Sequence, residues 1–252
     1  MKLNKLMFRE YDIRGIWNED ITEEISYYIG RAYATKLLSL KKNKMIVGYD
    51  NRLSSPIIEK NLVKGLTDGG VDVVRLGLVT TPMYYYAWDK LNIHCGIMIT
   101  ASHNPKEYNG FKMSYNGIHN CFGNEVAELY YIILNGIYSK GNGSITDANI
   151  KEDYIKMINS HINMGSNKLK VIYDCGNGTT SIVAKDIFVS NDNIEYIPLF
   201  AESDGTFPNH HPDPAVEDNL TILKEKVKEL NADCGIAFDG DGDRVGVVNE
   251  KG

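Results

Sequence analysis

The stretch "KMIVGYDNRLSSPIIEKNLVKGLTDGGVDVVRL", residues 44–76, decides the fold class. It opens on a compact apolar run, "KMIVGYD", the pattern of a buried strand. The segment after it is amphipathic, with Ser55 as the expected cap and Pro56 at the first helical position. Gly69 and Gly70 stop that helix, and "VDVVRL" is a second strand. Strand, helix and strand in succession mark a βαβ unit and a parallel sheet.

The same rhythm extends outward from this unit. Upstream, "DITEEISYYIGRAYATKLL" (20–38) predicts an amphipathic helix, with Asp20 as its cap and Glu23 completing a capping box. Downstream come a helix after Thr81-Pro82, strands at "HCGIMIT" (94–100) and "GFKMSY" (110–115), and a helix from about Gly123 to Tyr138. The polar, glycine-rich "SKGNGSITDAN" (139–149) is expected to separate two domains, residues 1–145 and 146–252. The second half offers "LKVIYD" as a strand, "TTSIVAKDIFV" as a helix and "IEYIPLF" as a strand. The helix "NLTILKEKVKEL" and the strands "DCGIAF" and "VGVVNE" follow. The expected fold class is α/β: two tandem, similar domains, each a mixed, mostly parallel sheet with helices on both faces.

The halves also resemble each other. "IVGYD" answers "VIYD", and "HCGIMITAS" answers "DCGIAFDGD". Aligned on the shared Cys-Gly-Ile, Ser102 falls on Asp241. A true duplication puts both loops at the carboxyl end of the same strand in two copies of one domain, where open α/β sheets collect ligands.

Composition narrows the function classes. A net charge of −6 disfavours a broad nucleic-acid surface, which needs basic patches. No run reaches the length of a membrane span, and "MKLNKLMFREYDIRG" lacks the apolar core of a signal peptide. Cys95, Cys121, Cys175 and Cys234 form no CxxC pair, so reduced, mostly buried thiols in a cytoplasmic protein are expected.

"DGDGDR", residues 239–244, carries the sharpest chemical signal. Three carboxylates at alternate positions can turn toward one point, where they repel one another unless a cation intervenes. Oxygen ligands select magnesium or calcium. A calcium EF-hand does not fit, because its sixth-position glycine is replaced by Arg244 and a strand precedes the loop. Three protein oxygens leave open positions on an octahedral ion, as a magnesium ion bridging to phosphate would have. The second signal is "TASHNP", residues 100–105. Neighbours on a strand face opposite ways, so Ser102 and His103 do not make a nucleophile and base pair there. A phosphorylated Ser102 would add charge and oxygens able to complete a magnesium shell. Arg14, Arg52 and Lys112 each follow turn residues, from which side chains reach a cleft. "DCGNGTTS" (174–181) lacks the lysine of a phosphate loop and reads as a tight turn. "FPNHHPDP" (207–214) reads as a rigid loop without metal-ligand spacing.

Taken together, "FREYDIRG", "TASHNP", "YNGFK", "FPNHHPDP" and "FDGDGDR" resemble the α-D-phosphohexomutase superfamily, in its phosphomannomutase/phosphoglucomutase branch. The resemblance runs in order along essentially the whole chain. It implies that Ser102 is the phosphoserine, that Asp239, Asp241 and Asp243 with Ser102 hold Mg2+, and that Lys112 and His103 assist proton transfer. Arg14 would serve catalysis, and Tyr11, Arg52, Asn104 and Arg244 would bind phosphate or sugar. The implied reaction exchanges a phosphoryl group between positions 1 and 6 of mannose or glucose phosphate, through serine and a bisphosphorylated sugar. Members of the superfamily have four domains. This chain is therefore expected to be the first two of a longer protein, lacking domains III and IV and inactive alone. A non-catalytic metal-binding or interaction module that retained the loops is the alternative. A serine hydrolase is a third reading, without an acid–base partner at helpful spacing.

Overall fold

A computed structural model describes residues 3–117, 119–163 and 165–252. The chain forms two compact units. The first comprises residues 1–78, 84–101 and 107–149; the second comprises 79–83, 102–106 and 150–252. Two short pieces of the first half, one around Thr81 and one around Ser102, thus cluster with the second unit.

The first unit is a six-stranded sheet in the order β1 (Ile13–Ile16), β5 (Tyr108–Ser114), β4 (Gly96–Ile99), β2 (Lys44–Tyr49), β3 (Asp72–Leu78), β6 (Ile145–Asp147). β4, β2, β3 and β6 run parallel, whereas β5 is antiparallel to both β4 and β1. Side chains alternate across the strands. Met45 and Val47 of β2 and Ile97 and Ile99 of β4 join one core with α1 (Glu23–Ser39), α2 (Ser55–Asp68) and α4 (Asn124–Asn135). The intervening Ile46 and Met98 are also fully buried, on the other face. There α3 (Thr81–Leu91) brings Tyr84 against Gly96.

The second unit is a four-stranded sheet in the order β10 (Val245–Asn249), β9 (Cys234–Phe238), β7 (Leu169–Asp174), β8 (Ile194–Leu199), with only β10 antiparallel. One face packs Ile172, Ala237 and Val248 against Leu223 and Val227 of α7 (Thr221–Glu229). The other packs Tyr173 and Cys175 with Ala184 and Phe188 of α6 (Ala184–Val189). Tyr173 stacks on Phe188 at 4.6 Å between ring centroids. The α/β class, the mixed sheets and the helices on both faces are as the sequence predicts.

Several local expectations are corrected. The cap of α1 is Thr22, whose hydroxyl accepts the Ile25 N–H; Asp20 instead accepts the N–H of Ile16. At α2 the cap position is Ser54, whose Oγ makes no capping bond and instead accepts from Asn109 Nδ2 at 2.7 Å, while the Ser55 hydroxyl donates to Asp50 Oδ1 at 2.7 Å. The polar segment 139–149 is not simply a linker, because it contributes β6. "TTSIVAKDIFV" breaks into a 3₁₀ turn, Thr179–Ile182, and the short α6. α5 (Lys151–His161) was not anticipated; of its residues only Tyr154 is buried.

Candidate active site

β9 runs outward and β10 returns antiparallel, with Val245 opposite Phe238, so residues 239–244 form the hairpin loop at the carboxyl end of β9. Asp239 and Asp241 are completely buried, and Asp243 is exposed. One ligand oxygen from each lies within 4.8 Å of the others. The loop winds around the Asp239 carboxylate, whose Oδ1 accepts the N–H groups of Asp243 (3.0 Å) and Arg244 (3.1 Å). A side chain at Gly240 would begin 2.5 Å from the Ser102 carbonyl oxygen. Gly242 has φ +77°, and a Cβ there would lie 2.5 Å from Thr180 Oγ1. Alternation with glycine is therefore required: each acid is separated by a residue that must have no side chain.

Two further elements reach this loop. Ser102 is buried in the turn after β4, at φ +51°, a left-handed conformation that costs a non-glycine residue energy and is concentrated at functional turns. Its Oγ donates to Asp239 Oδ2 at 2.7 Å. Its hydroxyl is thus aimed by a carboxylate of the loop that follows β9. At the start of α3, the Thr81 hydroxyl donates to Asp241 Oδ2 at 2.6 Å, and the Thr81 N–H donates to the Asp241 carbonyl at 2.9 Å.

Burial is the largest influence on the Asp239 carboxyl and pushes its pKa up to about 7. The charge of Asp241 adds to this, the Ser102 hydrogen bond opposes it, and Asp243 adds again. Three close carboxylates, two of them removed from water, have the make-up of a metal site, because a hard cation removes both the repulsion and the desolvation cost.

The remaining predicted residues are placed as follows. His103 and Asn104 are half-buried in the Ser102 turn, and the exposed Arg244 closes the aspartate loop through its N–H on Asp239. Tyr11, Arg14, Arg52 and Lys112 belong to the first unit. Tyr11 is 70% exposed. Arg14 stands on β1, 2.6 Å from Asp12 Oδ2, and Lys112 on β5 lies opposite Met98. Arg52 is wholly buried: its Nε is 3.1 Å from Asp50 Oδ2, and its Nη1 donates to the Tyr108 carbonyl.

The sequence reading missed Thr81, although a signal was present. The Thr80 hydroxyl already accepts the Met83 N–H at the start of α3. "Thr-Thr-Pro" therefore holds one more hydroxyl than a helix start needs. It also missed an anchor for "FPNHHPDP": His210 Nε2 is 3.0 Å from Asp174 Oδ2, while Nδ1 is 2.9 Å from the His211 carbonyl. "DCGNGTTS" is a tight turn, with Gly176 and Asn177 at positive φ and the Gly178 N–H on the Cys175 carbonyl.

The family models for phosphoglucomutase/phosphomannomutase, alpha/beta/alpha domains I and II, match residues 5–136 and 152–252. The chain belongs to this family. It is 46% identical over 247 residues to a phosphomannomutase/phosphoglucomutase of Pseudomonas syringae pv. tomato, a match covering 98% of this chain and 52% of that protein. It is 40% identical over 248 residues to a phosphoglucomutase of Neisseria meningitidis serogroup B, covering 98% and 53%. The crystal structure of a phosphoglucomutase/phosphomannomutase family protein from Burkholderia thailandensis matches with a TM-score of 0.94 at 36% identity, over all of this chain and 56% of that one. The chain thus spans about half the length of the curated relatives it matches.

Proposed function

We propose that the chain provides the phosphoryl-carrying, cation-binding part of a cytoplasmic phosphosugar mutase. The reaction interconverts hexose 1-phosphate and hexose 6-phosphate, with mannose or glucose as the sugar. The observation that carries this reading is the 2.7 Å contact from Ser102 Oγ to Asp239, inside a loop that converges three carboxylates. A hydrolase serine is paired with a base that removes its proton; Ser102 is paired with a candidate metal ligand, as a phosphoryl carrier would be.

In the proposed cycle the Oγ–P bond of phosphorylated Ser102 breaks as a sugar hydroxyl oxygen bonds to phosphorus and gives up its proton. The product is a hexose bisphosphate and free Ser102. In the return step the phosphoryl at the other end of the sugar bonds to Oγ, its sugar–oxygen bond breaks, and that oxygen regains a proton. Lys112 and His103 are the proposed proton carriers. Arg14, Tyr11, Asn104 and Arg244 are the proposed contacts to phosphate and sugar, and Arg52 contributes through its buried pair with Asp50. The cation we propose is Mg2+, held by Asp239, Asp241 and Asp243. When bound it offsets the charge of the phosphoryl oxygens.

Incubation with a hexose 1,6-bisphosphate and magnesium, followed by intact-mass and peptide mass spectrometry, tests the reading. One phosphoryl group on Ser102, absent from Ser102→Ala, is expected. A wild-type chain that takes up none overturns it.

A further inference from the structure

We infer that the Thr81 hydroxyl fixes how Asp241 meets a cation, and so makes the aspartate loop prefer a small octahedral ion to calcium. The inference rests on reading residues 239–244 as the cation site. Thr81 is completely buried, and its hydroxyl is not spent on its own helix, because Thr80 supplies the cap of α3. The 2.6 Å bond to Asp241 Oδ2 is a short, charge-assisted one. With the 2.9 Å bond from the Thr81 N–H to the Asp241 carbonyl, it holds this residue at both its backbone and its carboxylate. The carboxylate therefore presents Oδ1 to a cation and withholds Oδ2.

Asp239 is held at both oxygens: its Oδ1 accepts the N–H groups of Asp243 and Arg244, and its Oδ2 accepts the Ser102 hydroxyl. The hydrogen of that hydroxyl is lost when Ser102 is phosphorylated, so that Oδ2 is then the oxygen left for a cation. Both buried acids are thus set for one-oxygen ligation. Calcium takes six to eight oxygens and readily uses both of a carboxylate, whereas magnesium requires a compact octahedral shell. The loop has little room to compensate for a lost hydroxyl. Gly242 is wedged so that even a Cβ would meet Thr180 on one side and Thr80 on the other. Without the Thr81 hydroxyl, the Asp241 carboxylate gains the freedom to turn both oxygens inward.

The test is calorimetric titration of the folded 252-residue chain with magnesium chloride and with calcium chloride, for wild type, Thr81→Val and Thr81→Ser. Wild type should bind magnesium more tightly than calcium. Thr81→Val should weaken magnesium by about tenfold or more, as loss of a group that orients a metal ligand does, and move the Mg2+/Ca2+ ratio toward calcium. Thr81→Ser, which keeps the hydroxyl, should restore the wild-type ratio. Thr81→Ala is read in the same way if the valine variant does not fold. If the hydroxyl-less variants keep the wild-type ratio, with both affinities unchanged or lowered equally, Thr81 is a packing residue and this inference fails alone. A wild-type chain that binds neither cation overturns the cation-site reading and this inference with it.

Discussion

At Asp239 the fold opposes ionisation. Burial and then the charge of Asp241 carry the carboxyl up to about 7, against the pull of the Ser102 hydrogen bond. An acid whose folded pKa lies above its unfolded value keeps its proton longer in the fold. The cation-free chain should therefore lose stability as pH climbs from the ordinary carboxylate range through about 7. The loss is a few kcal/mol at most, at about 1.4 kcal/mol per pH unit of separation between the two states. His210 slopes the same way. Burial works against its charge, but the hydrogen bond and charge of Asp174 and the His211 carbonyl raise its pKa. Its contribution is complete below the ordinary histidine value and is lost as pH rises through the raised one. A cation separates the two residues, because it favours only the ionised aspartates. Melting curves at about pH 5 and about pH 7.5 should show a lower midpoint at the higher pH in chelator, recovered by magnesium. In Asp239→Asn the drop should shrink to the part from His210 and from Glu59, whose carboxyl burial also holds above its ordinary value, and magnesium should restore little. A midpoint in chelator that rises with pH contradicts this account.

At the scale of elements, β6 is held by polar contacts that leave no hydrophobic pattern. All three of its residues are exposed. Arg75 of β3 reaches both oxygens of Asp147, at 2.8 and 3.1 Å, and Asp72 Oδ1 accepts from the N–H and hydroxyl of Ser144, both at 2.7 Å. Exposed ion pairs add little to global stability. Arg75→Ala should therefore speed amide exchange of residues 145–147 while hardly moving the melting midpoint; unchanged exchange would show that the backbone ladder alone holds the strand. This polar anchoring is why "SITD" reads as linker in the sequence, and α5, with Tyr154 alone buried, was equally hidden. By contrast β2, α2 and β3 were legible, since apolar period and glycine stops state the same plan. In the site, the convergence of Asp239, Asp241 and Asp243 was legible from their alternate spacing, and that of Ser102 from the Cys-Gly-Ile alignment, which pairs its loop with theirs. Thr81 was harder to read: "Thr-Thr-Pro" carries a spare hydroxyl, but the partner that it serves lies 160 positions away.

At the scale of the molecule, the two sheets repeat one design. β5-β4-β2-β3 and β10-β9-β7-β8 share order and direction, and in each the chain turns back antiparallel after the equivalent strand. The Ser102 turn follows β4, and the aspartate loop follows β9. The two chemical loops thus occupy the same connection in two copies of one fold, as the Cys-Gly-Ile alignment suggests. This repeat brings together the Ser102 hydroxyl and the three aspartates, the proposed carrier and cation site, and the few sugar and phosphate contacts proposed beside them fall short of gripping a sugar at both of its ends. Binding energy from such remote groups is what positions a substrate and drives its chemical step. The relatives are about twice as long as this chain, and we assign sugar positioning to the part of them that it does not match. Residues 1–252 alone should therefore accept a phosphoryl group on Ser102 from a hexose bisphosphate, yet convert mannose or glucose 1-phosphate to the 6-phosphate negligibly. A coupled assay run beside the full-length Pseudomonas syringae relative decides the point, with turnover expected from that relative alone. Comparable turnover by this chain would mean that the sugar is gripped within the two units themselves.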